Sequence, residues 1–256
     1  MPTTRPTPLP TRVTPFGSIV AVALRYDRPS ARIGNRGVIH DASFRLTHQW
    51  KSRAWLVCEI DTSRTRSVQR DDNRAFNGRK RQVFTPGRWS ELFFLDECVA
   101  FAAGHRPCAC CRNQDYKAFL RAWSFAHPRS KAWTAAEVDA VLHAERLECR
   151  HGSKRLHAMP SVANLPDGVM VLLQDEAEAV QSSEGGKDVK GRQVGSNDES
   201  AWLVWNGALH RWTHAGYVGR TSPIPDRPCS LLTPPSLVAV IEHGFTPGPP
   251  HSSVFV

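Results

Sequence analysis

Four of the chain's seven cysteines lie within fourteen residues, in the segment FFLDECVAFAAGHRPCACCR (93–112). Two of them, Cys108 and Cys111, form a C-x-x-C pair, a spacing that allows two thiolates to bind one metal ion. A helix is predicted directly after the pair, and the positive end of its dipole would stabilise ionised sulfur. The pair therefore predicts a zinc site. A redox pair is the alternative, although the sequence predicts no strand leading into it, as a thioredoxin-like fold requires.

A closed zinc site needs two further donors, and the chain contains no second C-x-x-C. The nearest candidates are Cys58, on a predicted strand, and His40 upstream of it, followed by His48, Cys98 and Cys110. Cys58 and Cys98 also fit a purely structural role, because small thiols are common in apolar cores. The predicted metal ligands are Cys108, Cys111, Cys58 and His40.

A longer pattern surrounds the cysteine pair: an aromatic residue, a short alanine-rich helix, and then A-G-H-R-P-C-x-x-C. With this pattern, residues 83–112 resemble the second half of the Ada-type zinc-binding domain, known from methylphosphotriester DNA repair proteins. The matching residues are Phe94, Ala103, Gly104, Arg106, Pro107, Cys108 and Cys111, with His105 in the place of an aromatic residue. The resemblance implies zinc binding and a role in DNA repair or modification, and on that ground DNA is favoured over RNA.

The chain departs from that family at the first pair of zinc ligands. The segment VFTPGRW (83–89) occupies the corresponding place and contains neither cysteine nor histidine. In the repair proteins, a cysteine of the first pair accepts the methyl group. No residue here aligns with it, so methyl transfer is not part of the expectation.

Positive charge is concentrated in one part of the chain. Residues 1–155 contain 27 Lys and Arg against 14 Asp and Glu, whereas residues 156–256 contain 6 against 10. Such a concentration attracts polyanions, of which nucleic acid is the commonest, although a solvated basic loop is the simpler interpretation. Trp89 follows the basic stretch and could stack on an unpaired base. The predicted nucleic-acid-binding residues are Arg64, Arg66, Arg70, Arg74, Arg79, Lys80, Arg81, Arg88, Trp89, Arg106 and Arg112.

Two other classes of function stay open. Glu91 and Asp96 lie beside the basic stretch and could bind a divalent cation for phosphodiester hydrolysis, which would make the chain a metal-dependent nuclease or another hydrolase acting on nucleic acid. A small-molecule or protein-binding module, in which the cysteines only pack, is the third class. The chain has no G-x-S-x-G, Walker, G-x-G-x-x-G or H-E-x-x-H motif.

The predicted fold class is α+β, with β elements at both ends, a helical cysteine-bearing middle, and a C-terminal β-hairpin region followed by a helix. Four local features are also predicted: a capping box at Thr134 and Glu137, a hairpin turn at Asn206–Gly207, Gly104 as the end of a helix from about Asp96 to Ala103, and Thr233 as the cap of the last helix. The negative charges of Asp96 and Glu97 would favour the first turn of their helix. We expect a disordered tail over residues 1–15, which contain five prolines. A basic, Ada-like zinc-binding domain would span residues 16–155. A small β-rich domain would span residues 156–256, with a flexible insertion over residues 174–200.

The cysteines also bear on the cellular location. Their number is odd and they cluster, a pattern typical of a reducing compartment, so we expect a cytoplasmic protein. The chain has no run of eighteen apolar residues, and no membrane partner is expected.

Overall fold

A computed structural model of the chain describes residues 10–21, 32–60, 83–148, 152–173, 201–222, 224–250 and 255. Within these ranges the protein contains two six-stranded sheets and four helices. The predicted α+β class is therefore confirmed.

The first sheet has the strand order β2-β1-β5-β3-β4-β6. Its strands are β1 (Pro10–Val13), β2 (Ile19–Ala21), β3 (Arg32–Asn35), β4 (Leu56–Cys58), β5 (Leu92–Phe94) and β6 (Arg106–Pro107). Strand β1 lies within residues 1–15, which were predicted to be a disordered tail. It pairs with both β2 and β5. Pro10 is tolerated because it is the first residue of its strand, where proline's missing N–H does least harm.

The second sheet has the order β11-β10-β9-β8-β12-β7. Its strands are β7 (His157–Met159), β8 (Met170–Leu173), β9 (Ala201–Trp205), β10 (Ala208–Thr213), β11 (Gly216–Thr221) and β12 (Cys229–Leu231). The predicted hairpin turn is confirmed: Asn206 and Gly207, between β9 and β10, have φ of 49° and 64°. Two consecutive residues with positive φ are what a type I′ turn requires.

Four helices complete the described structure. They are α1 (Glu97–Ala102), α2 (Asn113–Ala126), α3 (Ala135–Arg146) and α4 (Pro235–Glu242). The predicted capping box opens α3, with both hydrogen bonds between Thr134 and Glu137 present. Thr233 does not cap α4 as expected, because its hydroxyl accepts a 2.9 Å hydrogen bond from the backbone N–H of Met170.

One hydrophobic core runs through both halves of the chain. It contains Phe101 from α1, Phe119 from α2, the strands of the second sheet, and Phe245 after α4. Phe245 stacks on Phe101 with ring centroids 5.6 Å apart. The division into two domains near residue 155 stays a prediction, and the predicted insertion (174–200) lies outside the described residues.

Asp96 joins the start of α1 to the second sheet. Its carboxylate caps the helix by accepting from the N–H of Val99 over 2.9 Å, and it accepts from the Tyr217 hydroxyl over 2.8 Å. Both residues are buried. Burial raises the pKa of Asp96 to about 6, because a carboxylate loses its hydration there.

This raised pKa predicts a pH dependence of stability. Between the unfolded-state pKa of about 3.9 and the folded value of about 6, the folded chain holds a proton that the unfolded chain has released. The free energy of unfolding should therefore fall as the pH rises through this window. The variant Asp96→Asn cannot ionise, so it should gain stability relative to the wild type between pH 4 and pH 6. Urea unfolding of both proteins at several pH values measures this difference.

Tyr217→Phe provides the control, since it removes the hydroxyl but keeps the carboxyl. Its pH dependence should persist. A constant difference between Asp96→Asn and wild type from pH 4 to pH 7 would contradict the prediction.

Candidate metal centre

Parallel pairing of β4 with β6 brings the cysteines together. The backbone N–H of Cys108 donates to the carbonyl of Val57 over 3.0 Å, which places Cys108 beside the end of β4, where Cys58 lies. The N–H of Arg112 then donates to the carbonyl of Cys108 over 3.0 Å and closes a turn. This turn brings Cys111 back to the other two cysteines.

The Sγ atoms of Cys58, Cys108 and Cys111 lie within 4.8 Å of one another. Among the residues that the structure describes, no other group of three or more Cys, His, Asp or Glu is close enough to share an ion. Thiolates around a tetrahedral ion at a metal–sulfur distance of about 2.3 Å lie about 3.8 Å apart. The cluster fits this spacing with small adjustments, so it can hold a metal ion.

Hydrogen bonds to sulfur shape the protonation of this cluster. The pKa of Cys108 is lowered because the thiols of Cys111 and Cys58 and the backbone N–H groups of Cys111 and Cys110 hydrogen-bond to its sulfur. Hydrogen bonds with Cys108 and Cys111 raise the pKa of the Cys58 thiol. The hydrogen bond with Cys108 likewise raises the pKa of the Cys111 thiol. A bound cation would replace the shared protons, since thiolate is the form that binds metal.

A small apolar cluster, separate from the main core, surrounds the three sulfurs. Ile33 is its other buried member, and four partly buried side chains pack around it: Leu56, Ile60, Trp89 and Phe93. These side chains exclude water from most of the site. Ile60 directly precedes segment 61–82 in the sequence and Trp89 lies seven residues after it, so the cluster contacts the chain on both sides of that segment.

His40, the fourth predicted ligand, is not brought to the cluster. Its Nδ1 lies 2.6 Å from the Ser90 hydroxyl, its Nε2 lies 3.3 Å from the Thr85 carbonyl oxygen, and its ring stacks on Phe84. Both ring nitrogens therefore have partners within the loop before β5. Sequence proximity to Cys58 suggested a ligand, but His40 precedes a long excursion of the chain before β4 begins.

The alternative donors also lie elsewhere. Cys98 is buried in α1 within the main core, as its structural interpretation predicted. Cys110 is exposed, and His48 is an exposed residue whose Nδ1 lies 2.8 Å from the Thr47 hydroxyl. Of the candidates from the sequence, Cys58 alone joins the C-x-x-C pair.

Arg112, predicted to contact nucleic acid, is buried beside the cysteines. Its guanidinium lies 2.6 Å from a carboxylate oxygen of the fully buried Glu97 and donates over 2.8 Å to Asp115. It also lies 3.4 Å from Glu59, which bonds to Arg32 over 3.0 Å. Two arginines and three carboxylates thus form an ion-pair network that holds the turn after Cys108.

Arg106, another predicted phosphate contact, is also buried. It makes a bidentate pair with Asp139 of α3, with both N–O distances at 2.7 Å. A paired arginine of this kind orients its neighbours and has no free donor fork for a phosphate. The pair fixes β6, and with it Cys108, against α3.

The remaining residues predicted to bind nucleic acid fall in two groups. Arg88 is exposed, and Trp89 is half-buried against the cysteine cluster. The other predicted residues lie outside the described ranges and stay predictions: Arg64, Arg66, Arg70, Arg74, Arg79, Lys80 and Arg81.

The carboxylates proposed for hydrolysis are occupied by hydrogen bonds. Glu91 is buried and accepts from the backbone N–H of Phe84 over 2.9 Å. Asp96 is shared between Val99 and Tyr217, as described above. The hydrolase alternative therefore draws no support from this pair.

Sequence reasoning missed the role of Glu97. It was expected only to favour the helix dipole, yet it is the innermost member of the ion-pair network and also accepts from the N–H of Gly248 over 3.0 Å. A signal was present in the sequence. Glu97 opens a helix whose other residues, CVAFA, are all apolar, and a carboxylate in such a setting requires a partner.

No protein-family model, curated protein or solved structure matches the chain. No helix in the described ranges is long and apolar enough to cross a membrane. The resemblance of residues 83–112 to the Ada-type domain stays a prediction.

The cluster predicts one bound metal ion per chain that depends on Cys108. Elemental analysis of the purified protein should find a stoichiometric divalent metal, and Cys108→Ser should reduce it to well below one equivalent, because two sulfurs alone bind weakly. Chelation should lower the unfolding temperature of the wild type and leave that of Cys108→Ser unchanged.

Cys229→Ser is the matched control, since Cys229 is also buried but lies in β12 of the second sheet. It should retain the metal. Equal metal content in Cys108→Ser and Cys229→Ser would remove the site.

Proposed function

We propose that the chain binds nucleic acid, DNA in preference to RNA, through the basic stretch 64–88, and that a zinc ion held by Cys58, Cys108 and Cys111 fixes the base of that stretch. The observation that carries the proposal is the position of the three-cysteine cluster. The cluster packs against Ile60, directly before segment 61–82, and against Trp89, seven residues after it, and that segment is the most basic part of the sequence.

Zinc is the metal that this donor set favours. Three sulfur ligands and no described carboxylate or imidazole exclude the hard oxygen environment that Mg²⁺ and Ca²⁺ require. The N–H groups directed at Cys108 stabilise thiolate without forming part of the coordination shell.

The distribution of charge supports a polyanionic partner. The stretch from Arg64 to Arg88 contains eight basic residues and two acidic ones. Because Arg106 and Arg112 are neutralised inside the protein, the proposed interface is this stretch and not the cysteine turn itself. Phosphate neutralisation by such residues releases counterions and makes binding depend steeply on salt.

Salt-dependent DNA binding tests the proposal. The triple variant Arg79→Gln, Lys80→Gln, Arg81→Gln removes three adjacent cations from the basic stretch. It should weaken binding to duplex DNA and reduce the slope of log Kobs against log salt by up to about 3, since each lost phosphate contact contributes about 0.9. Fluorescence anisotropy with a labelled duplex over a range of salt concentrations measures both quantities.

Lys117→Gln, Arg121→Gln is the control, because both residues are exposed on α2, away from the basic stretch. It should change affinity only slightly. A wild-type affinity that is independent of salt, or equal losses in the two variants, would refute binding through the basic stretch. Tighter binding to single-stranded RNA than to duplex DNA would refute the preference for DNA.

A further inference from the structure

The cysteine cluster supplies three ligands, and zinc in proteins takes four. Closed structural sites obtain all four from side chains, whereas sites that bind an outside molecule keep one position for it. The source of the fourth donor therefore decides whether this is a closed structural site or a site that binds an outside molecule.

Most of the chain's histidines and cysteines are accounted for by their positions. None that the structure describes lies with the cluster, apart from the three cysteines themselves. Segment 61–82, which follows Ile60 of the cluster in sequence, contains neither residue type, and its carboxylates are Asp61, Asp71 and Asp72. Outside the described ranges, the remaining ones are Cys149, His151 and His251.

The three ligand residues keep a small contact with solvent. Cys58, Cys108 and Cys111 are 8–9% exposed, whereas Cys98 in the main core is 0% exposed. Cys110, in the same turn, is exposed. The three ligand residues therefore lie near the protein surface, outside the main core.

The charges around the cluster determine which ligand suits this position. Three thiolates and a divalent ion have a net charge of −1. The adjacent network contains Arg32 and Arg112 against Glu59, Glu97 and Asp115, so it offers no excess positive charge to attract an anion. An uncharged donor is favoured, and imidazole-type nitrogen is an uncharged donor that suits zinc.

We propose that the metal is held by three protein thiolates and that its fourth coordination position binds an exchangeable, uncharged nitrogen donor from outside the chain. This inference rests on the proposed zinc site and goes beyond it. It makes the site a ligand-binding centre in addition to a structural one.

Cobalt substitution tests the inference on the full-length protein. Co²⁺ bound to thiolates absorbs visible light, and its d–d bands change with the identity of each ligand. Adding imidazole to the Co²⁺ protein should shift these bands in a saturable way while the metal stays with the protein on gel filtration. Azide, an anionic probe, should require a higher concentration for a comparable change.

Five single variants test whether the chain closes the site itself: Asp61→Asn, Cys110→Ser, Cys149→Ser, His151→Ala and His251→Ala. All five should show the wild-type cobalt spectrum before imidazole is added and the same shift afterwards. An altered starting spectrum in any of them would overturn the inference, because that residue would then be the fourth ligand.

Three other results would also overturn it: a spectrum insensitive to imidazole, release of Co²⁺ by imidazole, or azide acting at the lower concentration. Failure to bind Co²⁺ at all would remove the zinc site of the proposed function as well. Cobalt binding without a response to imidazole would remove only the exchangeable position.

Discussion

The parallel pairing of β4 with β6 is the constraint on which the site depends. Two backbone hydrogen bonds of 3.0 Å, from Arg106 to the carbonyl of Trp55 and from Cys108 to that of Val57, align segments about fifty residues apart in sequence. A slip of one residue would turn Cys58 to the other face of its strand, because side chains alternate along β-structure. The three sulfurs would then not share a point.

Buried charge reinforces that alignment on both sides. Arg106 binds Asp139 of α3, and Arg112 binds Glu97 of α1, so each end of the cysteine turn is tied to a different helix. Breaking a buried pair by removing one partner leaves an uncompensated charge, which costs about 3–5 kcal/mol. The turn therefore has few alternative positions, and the protein holds the three sulfurs close together without a metal ion.

The local rules of the sequence predicted local structure well. The capping box of α3, the Asn206–Gly207 turn and the glycine that ends α1 are all present, because each depends on residues within one or two turns of chain. The C-x-x-C pair was identified on the same basis, whereas Cys58 was named only as the nearest further donor. The fate of His40, Arg106 and Arg112 could not be predicted, since their partners come from distant elements.

A count of charged residues also does not predict which of them lie at the surface. Arg36 and Arg146 count toward the basic half, yet both are buried with their guanidinium groups 3.6 Å and 4.0 Å from the Trp55 ring centroid. Arg36 donates to Nε2 of His105, whose Nδ1 donates to a backbone carbonyl, so His105 is neutral. The residue count treats these two arginines as available to a partner, whereas in the fold both are buried against Trp55.

The main hydrophobic core is continuous and does not include the cysteine cluster. Because the main core joins both sheets through α1, α2 and α4, the fold has apolar contacts that do not involve the cysteine cluster. The apolar residues around the sulfurs form a separate, smaller group at the edge of the first sheet. A metal ion bound there would stabilise chiefly the end of β4 and the turn after Cys108, so its effect on structure would be local. An ion with only a local contribution to folding could exchange one of its ligands without loss of the fold, and the proposed binding centre requires this property.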